Sequence, residues 1–282
     1  MFFSQLESLT GLELNQLKLL REFIKNKKNV CVAYSGGVDS SLVAAIAQEQ
    51  LGSKAFAVTG VSHSLAPYLL KQARLQAAWI GIRHEECRTY EIDEPNYFKN
   101  PENRCFACKQ ELHKHLKQIS TRSEYAQVID GVNFDDLSDF RPGINASGQA
   151  GVISPLAELE INKKSIRSIS KSLGFPWWDK PAQPCLASRI PYGEEISSKR
   201  LEQIASAEEW IVNKGFSRVR VRSQGLSARI ELPANEIDNF LKIISRDNLI
   251  KYFLSLGFSS VSIDLEGLVS GKLARDIKSF KK

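Results

Sequence analysis

No apolar stretch of the sequence reaches the length of about 18 residues that would suggest a membrane span. The opening Met-Phe-Phe-Ser-Gln also lacks the basic flank of a signal peptide, so a cytoplasmic location is expected. Cysteines are few and odd in number, five in 282 residues, and a chain this long has no need of disulfides. Internal repeats and low-complexity tracts are missing. So is any long basic tract: 38 Lys and Arg stand against 32 Asp and Glu, for a net charge of +6 and a pI near 9.0. That balance favours anionic partners the size of a nucleotide or phosphorylated metabolite. Without a basic tract carrying interleaved aromatics, or a recognisable RNA-binding module, nucleic acid is not an expected partner. What is present is ample material for a core, 43% hydrophobic residues, in a length that suits one large domain and a smaller one.

The large domain is organised around Ser35-Gly36-Gly37-Val38-Asp39-Ser40-Ser41. This stretch follows the apolar run Val30-Cys31-Val32-Ala33-Tyr34 and precedes the helix-like Leu42-Val43-Ala44-Ala45-Ile46-Ala47, so it marks a strand turning into a helix. Two glycines let the backbone approach a ligand closely. The unpaired amides and positive dipole end of the new helix favour an anion there. Ser35, Ser40 and Ser41 add hydroxyl donors without bulk. A polar turn would also use Gly, Asp and Ser, but does not need all seven in this order. The loop is not a Walker A motif, which requires GxxxxGK[ST]: Gly271-Lys272 is followed by Leu273. The string SGGVDSS resembles the PP-loop of the N-type ATP pyrophosphatases, which cleave ATP to AMP and pyrophosphate. The resemblance implies a site for ATP, with Asp39 as ligand of the accompanying Mg2+.

Apolar residues at helical spacing from Leu6 to Lys27, among them Leu14, Leu17, Leu20 and Ile24, predict a leading helix. Further strands are predicted at Lys54–Gly60, Arg83–Ile92 and Ala126–Gly131, with a helix from about Pro67 to Gly81. Strands alternating with helices imply a parallel sheet with helices on both faces. Ligands of such sheets bind beyond the carboxyl ends of the strands, where SGGVDSS lies. Between the third and fourth strands, Cys105-Phe106-Ala107-Cys108 precedes a helical segment from about Gln110 to Ile119. A CxxC pair can be a redox dithiol, half of a zinc site completed by His113 or His115, part of an iron-sulfur site, or two buried structural cysteines.

Past the fourth strand, Gly131-Val132-Asn133-Phe134-Asp135-Asp136-Leu137-Ser138-Asp139-Phe140-Arg141-Pro142-Gly143 gathers three carboxylates and an arginine. It reads either as a solvated turn or as part of the ligand side of the sheet. After Val152-Ile153-Ser154-Pro155-Leu156 and a helix at Lys163–Leu173 comes Trp177-Trp178-Asp179-Lys180-Pro181-Ala182-Gln183-Pro184-Cys185-Leu186-Ala187-Ser188-Arg189-Ile190-Pro191-Tyr192-Gly193. Its prolines oppose a regular helix, and an irregular loop with a lone cysteine suits a reactive group.

Together, SGGVDSS, DGVNFDDLSDFRPG, ISPL and WDKPAQPCLASRIPYG closely resemble the LarE family of ATP-dependent sacrificial sulfur transferases. The likeness continues through Ala228-Arg229-Ile230-Glu231 and Gly257–Gly267, so it spans most of the chain. It implies adenylylation of a pyridinium dicarboxylate mononucleotide and replacement of carboxylate oxygen by sulfur, in making the nickel-pincer nucleotide cofactor. Cys185 matches the cysteine that in some relatives gives up its own sulfur and becomes dehydroalanine. CFAC departs from that single-cysteine pattern and resembles the three-cysteine relatives. Cys105, Cys108 and Cys185 would then hold a [4Fe-4S] cluster with one open iron, and a persulfide carrier is the alternative. Cys31 and Cys87, in strands, are expected to be inert. A homo-oligomer is expected.

The character of the chain changes at about Glu194, so the domains are expected to be 1–193 and 194–282, the second a small α+β domain. It opens with an amphipathic helix at Ser197–Lys214 and continues with Arg218-Val219-Arg220-Val221-Arg222, whose period-two alternation places the guanidiniums on one strand face. Arg220 and Arg222, with Ser188, are the expected site for the substrate phosphate; a solvated sheet face is the alternative. Two rival functions stand beside sulfur transfer: a PP-loop tRNA thiolase, and a non-catalytic nucleotide or iron-sulfur sensor.

Overall fold

The computed structural model describes residues 8–138, 142–269 and 272. Its leading helix, α1 (Gly11–Lys25), starts where Thr10 and Glu13 cap each other's backbone amides. Leu17, Leu20 and Ile24 are buried, whereas Leu14 lies on the exposed side; Leu6 falls outside the described residues. Strands β1 (Val30–Ala33), β2 (Ala55–Val61), β3 (Arg83–Arg88) and β4 (Gln127–Ile129) form a wholly parallel sheet in the order β3-β2-β1-β4. Between them run α2 (Val38–Leu51), α3 (Pro67–Ile80), the single turn α4 (Pro95–Phe98) and α5 (Arg104–Arg122). Beyond β4 follow α6 (Pro142–Gln149), α7 (Pro155–Glu158) and α8 (Lys163–Ser172).

The expected α/β architecture is present, and strand alternation explains why both faces of the sheet are covered. Val30 and Val32 join the core built with α1, α2 and α8. Cys31 points the other way, into a second cluster with Phe56, Val58 and Leu116 of α5. From Leu42 to Ala47 every residue of α2 is fully buried, so this helix is apolar all round rather than amphipathic.

The chain divides into two compact units. One comprises the chain up to Ser62, Leu69–Glu91 and Asn103–Gln183; the other comprises His63–Tyr68, Ile92–Glu102 and the chain from Pro184 onward. In the second, α9 (Ser198–Val212) is followed by β5 (Arg220–Gln224) and β6 (Ser227–Glu231), then α10 (Ile237–Ile243), α11 (Arg246–Ser255) and β7 (Ser260–Ile263). β5 and β6 pair antiparallel and β7 adds parallel to β6. Ile211, Val221, Ile230, Phe240 and Phe253 fill this unit's own core. No helix among the described residues is long and apolar enough to cross a membrane.

In the parallel sheet, β1 has β2 on one side and β4 on the other, which makes the carboxyl ends of β1 and β4 the point where connections diverge and ligands bind. Gly131, two residues past β4, shows how tightly that point is closed. A methyl group there would stand 2.6 Å from the backbone nitrogen of Ser40 and 2.8 Å from its Cα. Backbone at the start of a buried helix yields little. We expect Gly131→Ala to lower unfolding stability by about 1–3 kcal/mol, measured by urea denaturation; an unchanged midpoint would contradict this packing.

Candidate active site

The loop after β1 has the form its glycines and hydroxyls demand. Gly36 adopts φ +69°, and a Cβ on it would meet Ala73 Cβ at 2.9 Å, so no other residue fits without displacement. Gly37 is the N-cap of α2 and has no side chain to occupy the helix's first amides. Ser40 Oγ accepts from the Ser35 amide at 3.2 Å, lies 3.1 Å from Ser35 Oγ, and donates to the Gly37 carbonyl at 3.1 Å. These bonds fold the loop over itself and leave the helix end for an anion.

Asp39, in the first turn of α2, has two different oxygens. Oδ2 accepts a short hydrogen bond from the Lys163 ammonium. Oδ1 is buried and has no hydrogen-bond partner. A carboxylate oxygen held away from water without a donor suits a hard divalent cation. Lys163 was not singled out by the sequence, because it lies 124 residues from Asp39.

Asp135 and Asp136 of the loop beyond β4 are used locally. Asp135 Oδ2 accepts the Lys163 amide at 2.9 Å, Asp136 Oδ2 accepts the Asn133 amide at 3.2 Å, and Asn133 Oδ1 accepts the amides of Asp135 and Asp136. The loop thereby fixes the start of α8. Asp139 and Arg141 lie outside the described residues. Asp130, only 2% exposed, accepts from the Val132 amide and the Ser154 hydroxyl through Oδ1, while its Oδ2 is buried without a partner.

The CxxC pair does not precede its helix: α5 begins at Arg104, so Cys105 and Cys108 lie in the first turns. Three residues apart, the two thiols share a helix face, with Cys105 exposed and Cys108 half-buried. Among the described residues no group of three or more His, Cys, Asp or Glu side chains is arranged to hold a metal ion. The histidines of α5 are turned to other groups: His115 Nε2 lies 2.8 Å from Glu111 Oε1 and His113 Nε2 3.0 Å from Ser147 Oγ. Cys31 is buried and Cys87 half-buried, and burial raises their thiols to about 12 and about 11, away from the reactive thiolate.

Burial, helped by nearby Lys109 and opposed by Asp130, lowers His113 from 6.5 to about 4. The unfolded chain therefore binds this proton at higher pH than the folded one. The contribution of the neutral ring is intact above pH 6.5 and is lost as pH falls toward 4, about 3 kcal/mol in all. Urea titrations at pH 7 and pH 4.5 should show a smaller loss for His113→Gln than for the unsubstituted protein; equal losses would contradict the assignment.

Cys185 belongs to the second unit and its thiol is exposed. Its backbone is held firmly. The Leu186 amide donates to the Ser64 carbonyl at 2.8 Å, and the Cys185 carbonyl accepts from the Ser188 amide at 3.0 Å. Arg189, 2% exposed, donates to the Pro184 carbonyl at 2.7 Å and to the Cys185 carbonyl at 3.3 Å. Two further bonds, of 2.8 and 3.1 Å, make it a bidentate partner of the buried Glu208. Burial works against the Arg189 charge, but Glu208 outweighs it and holds the guanidinium above its ordinary value.

The expected arginine face is divided. Arg218 precedes β5 and is exposed. Arg222 is buried rather than solvated: Nε donates to Glu231 Oε1 and Nη1 to the Ser188 carbonyl, both at 2.9 Å. Its charge is tolerated because Glu231 lies on the neighbouring strand β6. Arg220 is half-buried, and its guanidinium has no hydrogen bond or ion pair among the described residues, although its backbone pairs with Glu231. Burial, then Arg189 and Arg222, lower its pKa, so the guanidinium would gain from an added anion. Ser188, half-buried, accepts from Arg189 Nη1 at 3.0 Å. Sequence reasoning missed the Arg189–Glu208 clamp, although Arg189 stood within the quoted loop.

Comparison with known proteins bears on these observations. Residues 20–99, which contain the glycine loop, match the asparagine synthase family. Over 261 residues the chain is 51% identical to an uncharacterized protein of Synechocystis sp., covering 93% of this chain and 97% of that one. An uncharacterized protein of Methanocaldococcus jannaschii is 33% identical over 248 residues, 88% of this chain and 93% of its own. The pyridinium-3,5-bisthiocarboxylic acid mononucleotide synthase of Lactiplantibacillus plantarum is 32% identical over 251 residues, 89% of this chain and 90% of the synthase. Likeness sustained along nearly the whole of that synthase, over a sheet whose switch point carries the glycine loop, makes this chain a member of the LarE family within the PP-loop ATP pyrophosphatases.

Proposed function

We propose that the protein is an ATP-dependent sulfur transferase that converts a carboxylate of a pyridinium dicarboxylate mononucleotide to a thiocarboxylate, in nickel-pincer nucleotide cofactor biosynthesis. The observation that carries this reading is the turn from β1 into α2, with its uncapped amides and the partnerless Asp39 Oδ1. Ser35 to Ser41 would hold the ATP phosphates, and Asp39 would hold magnesium, which supplies charge neutralisation on the phosphates. The substrate carboxylate attacks the α-phosphorus. The bond from that phosphorus to the bridging oxygen breaks, pyrophosphate leaves with the electron pair, and an acyl adenylate remains. The amides at the start of α2 are placed to stabilise the departing charge.

Sulfur then displaces AMP from the acyl carbon. In the sacrificial route the Cys185 thiolate is the nucleophile and a thioester forms. Loss of the Cys185 Cα proton and cleavage of its Cβ–S bond release the thiocarboxylate and leave dehydroalanine. Arg220, with Ser188 and Arg222 around it, is the proposed phosphate grip. A finer version, implied by the likeness to three-cysteine relatives, has Cys105 and Cys108, in the first turns of α5, as ligands of a [4Fe-4S] cluster that would supply sulfide. Within its own unit the CxxC offers two thiols. Anaerobic reconstitution tests it: about four irons per chain, lost when Cys105 and Cys108 are replaced, are expected for a [4Fe-4S] site.

The proposed activity itself is tested by pyrophosphate release. Release that requires both ATP and a carboxylated pyridinium mononucleotide is expected. ATP binding without release would favour the sensor reading, and salt-dependent retention on tRNA would favour the thiolase.

A further inference from the structure

We propose that Lys180 holds the reacting carboxylate of the substrate, exchanging the side-chain amide of Gln72 for that carboxylate beside the glycine loop. The inference rests on the reading of the chain as an ATP-dependent sulfur transferase. It deepens that reading by assigning a side chain to the substrate group that attacks phosphorus.

Three observations lead to it. Lys180 is half-buried, yet its ammonium rests on a neutral acceptor: Nζ donates to Gln72 Oε1 at 2.5 Å, and it makes no ion pair among the described residues. Burial lowers its pKa, and no neighbouring acid offsets the effect. A second cation nearby is in the same condition. Half-buried Arg167 of α8 donates to the Lys180 carbonyl at 3.5 Å, its Nε is buried without a partner, and it too makes no ion pair among the described residues. Finally, α3 ties this place to the glycine loop. Gln72 precedes Ala73, whose Cβ would stand 2.9 Å from a Cβ on Gly36, and lies one turn from Gln76, whose Oε1 accepts from the Tyr34 hydroxyl at 3.4 Å. Because α3 leads back from the carboxyl ends of the strands, Gln72 stands about 6 Å nearer the ligand side than Gln76. All these residues belong to one compact unit.

Cations taken out of water are ordinarily paired with acids, so two neighbouring ones without an acid make a place for an anion. The glycine loop and the amides of α2 serve the phosphates of ATP. The anion still to be placed is the carboxylate that attacks the α-phosphorus. A hydrogen bond from an ammonium to a carboxylate is stronger than one to a neutral amide, and rotation about the four-carbon stem is enough for Lys180 to exchange one for the other. One carboxylate oxygen then accepts from the ammonium. The lone pair of the other forms the bond to phosphorus, and no proton is transferred. Arg167 adds positive potential that draws the anionic substrate in. When sulfur later adds to the acyl carbon, the same ammonium faces the oxygen on which negative charge develops.

Calorimetric titration with the pyridinium dicarboxylate mononucleotide and with its dicarboxamide, which keeps the shape and removes the carboxylate charge, isolates this contact. The unsubstituted protein should bind the dicarboxylate about tenfold to a hundredfold more tightly than the dicarboxamide, the value of a charge-assisted hydrogen bond. Lys180→Met should weaken the dicarboxylate by a similar factor and leave the affinities for the dicarboxamide and for α,β-methylene ATP unchanged. Lys180→Arg should recover part of the loss. Gln72→Glu, which gives the lysine a permanent counter-ion, should also weaken the dicarboxylate and spare the dicarboxamide, and it carries the test if the methionine variant does not fold. A preference for the dicarboxylate that survives these substitutions, or that the unsubstituted protein does not show, would overturn the proposal. An equal loss of affinity for α,β-methylene ATP in Lys180→Met would overturn it too, because the lysine would then serve the phosphates. Failure of the unsubstituted protein to bind either α,β-methylene ATP or the dicarboxylate is a different result, and overturns the sulfur-transfer reading beneath it.

Discussion

Cys185→Ala is expected to abolish thiocarboxylate formation while leaving pyrophosphate release within about threefold of the unsubstituted protein. The division follows from how the residue is held. The bonds that shape its loop are made by backbone: the Cys185 carbonyl accepts from the Ser188 amide and from Arg189, and the neighbouring Leu186 amide donates to Ser64. Alanine keeps each of these. The thiol is exposed and packs into no core, and surface substitutions of this kind usually change stability by about 0.5 kcal/mol or less. What is lost is the sulfur. Mass spectrometry of the product, alongside a pyrophosphate assay, checks both halves. Loss of both activities would mean that the residue supports the fold of its loop, and retained sulfur transfer would place the nucleophile elsewhere.

Asp39→Asn should act on the earlier step, lowering the rate of pyrophosphate release about 10²–10³-fold. Removing one preorganised electrostatic contact to developing charge commonly has an effect of that size. Asparagine keeps the shape and an acceptor oxygen but removes the charge that the buried Oδ1 and the Lys163-bound Oδ2 share. The chain should remain folded, because the loop is tied by Ser35, Gly37 and Ser40 rather than by Asp39. Raising the magnesium concentration should recover little of the rate. A rate unchanged by the substitution would remove Asp39 from the site. A fall in thermal midpoint matching the fall in rate would make the effect structural.

The features that depend on local pattern were legible in the sequence. Val30 to Ala33, the glycine loop and Leu42 to Ala47 announce a strand, a turn and a buried helix, and these place the glycine loop at a strand-to-helix junction. Boundaries shifted where a local signal was weak. α5 starts at Arg104 with no side-chain cap from Asn103, so nothing announced that the CxxC lies within the helix. α11, a short helix capped by Ser245, was not foreseen. Pairings between distant segments were hidden for a different reason. Whether Arg222 faces water or Glu231 depends on which strand lies beside β5. Whether Asp39 has a counterion depends on where α8 begins, far along the chain. The packing of Gly131 on Ser40 likewise needs the order of β1 and β4, which no periodicity states.

The proposed sulfur transfer requires that a substrate carboxylate attack the α-phosphorus of ATP at this glycine loop. Labelling the carboxylates of a pyridinium dicarboxylate mononucleotide with ¹⁸O tests it directly, because the attacking oxygen stays on phosphorus when sulfur displaces AMP. After turnover with magnesium and ATP, AMP is expected to carry one ¹⁸O atom from the substrate, and pyrophosphate none. Unlabelled AMP, or ADP in its place, would contradict adenylylation and with it the proposed sulfur transfer.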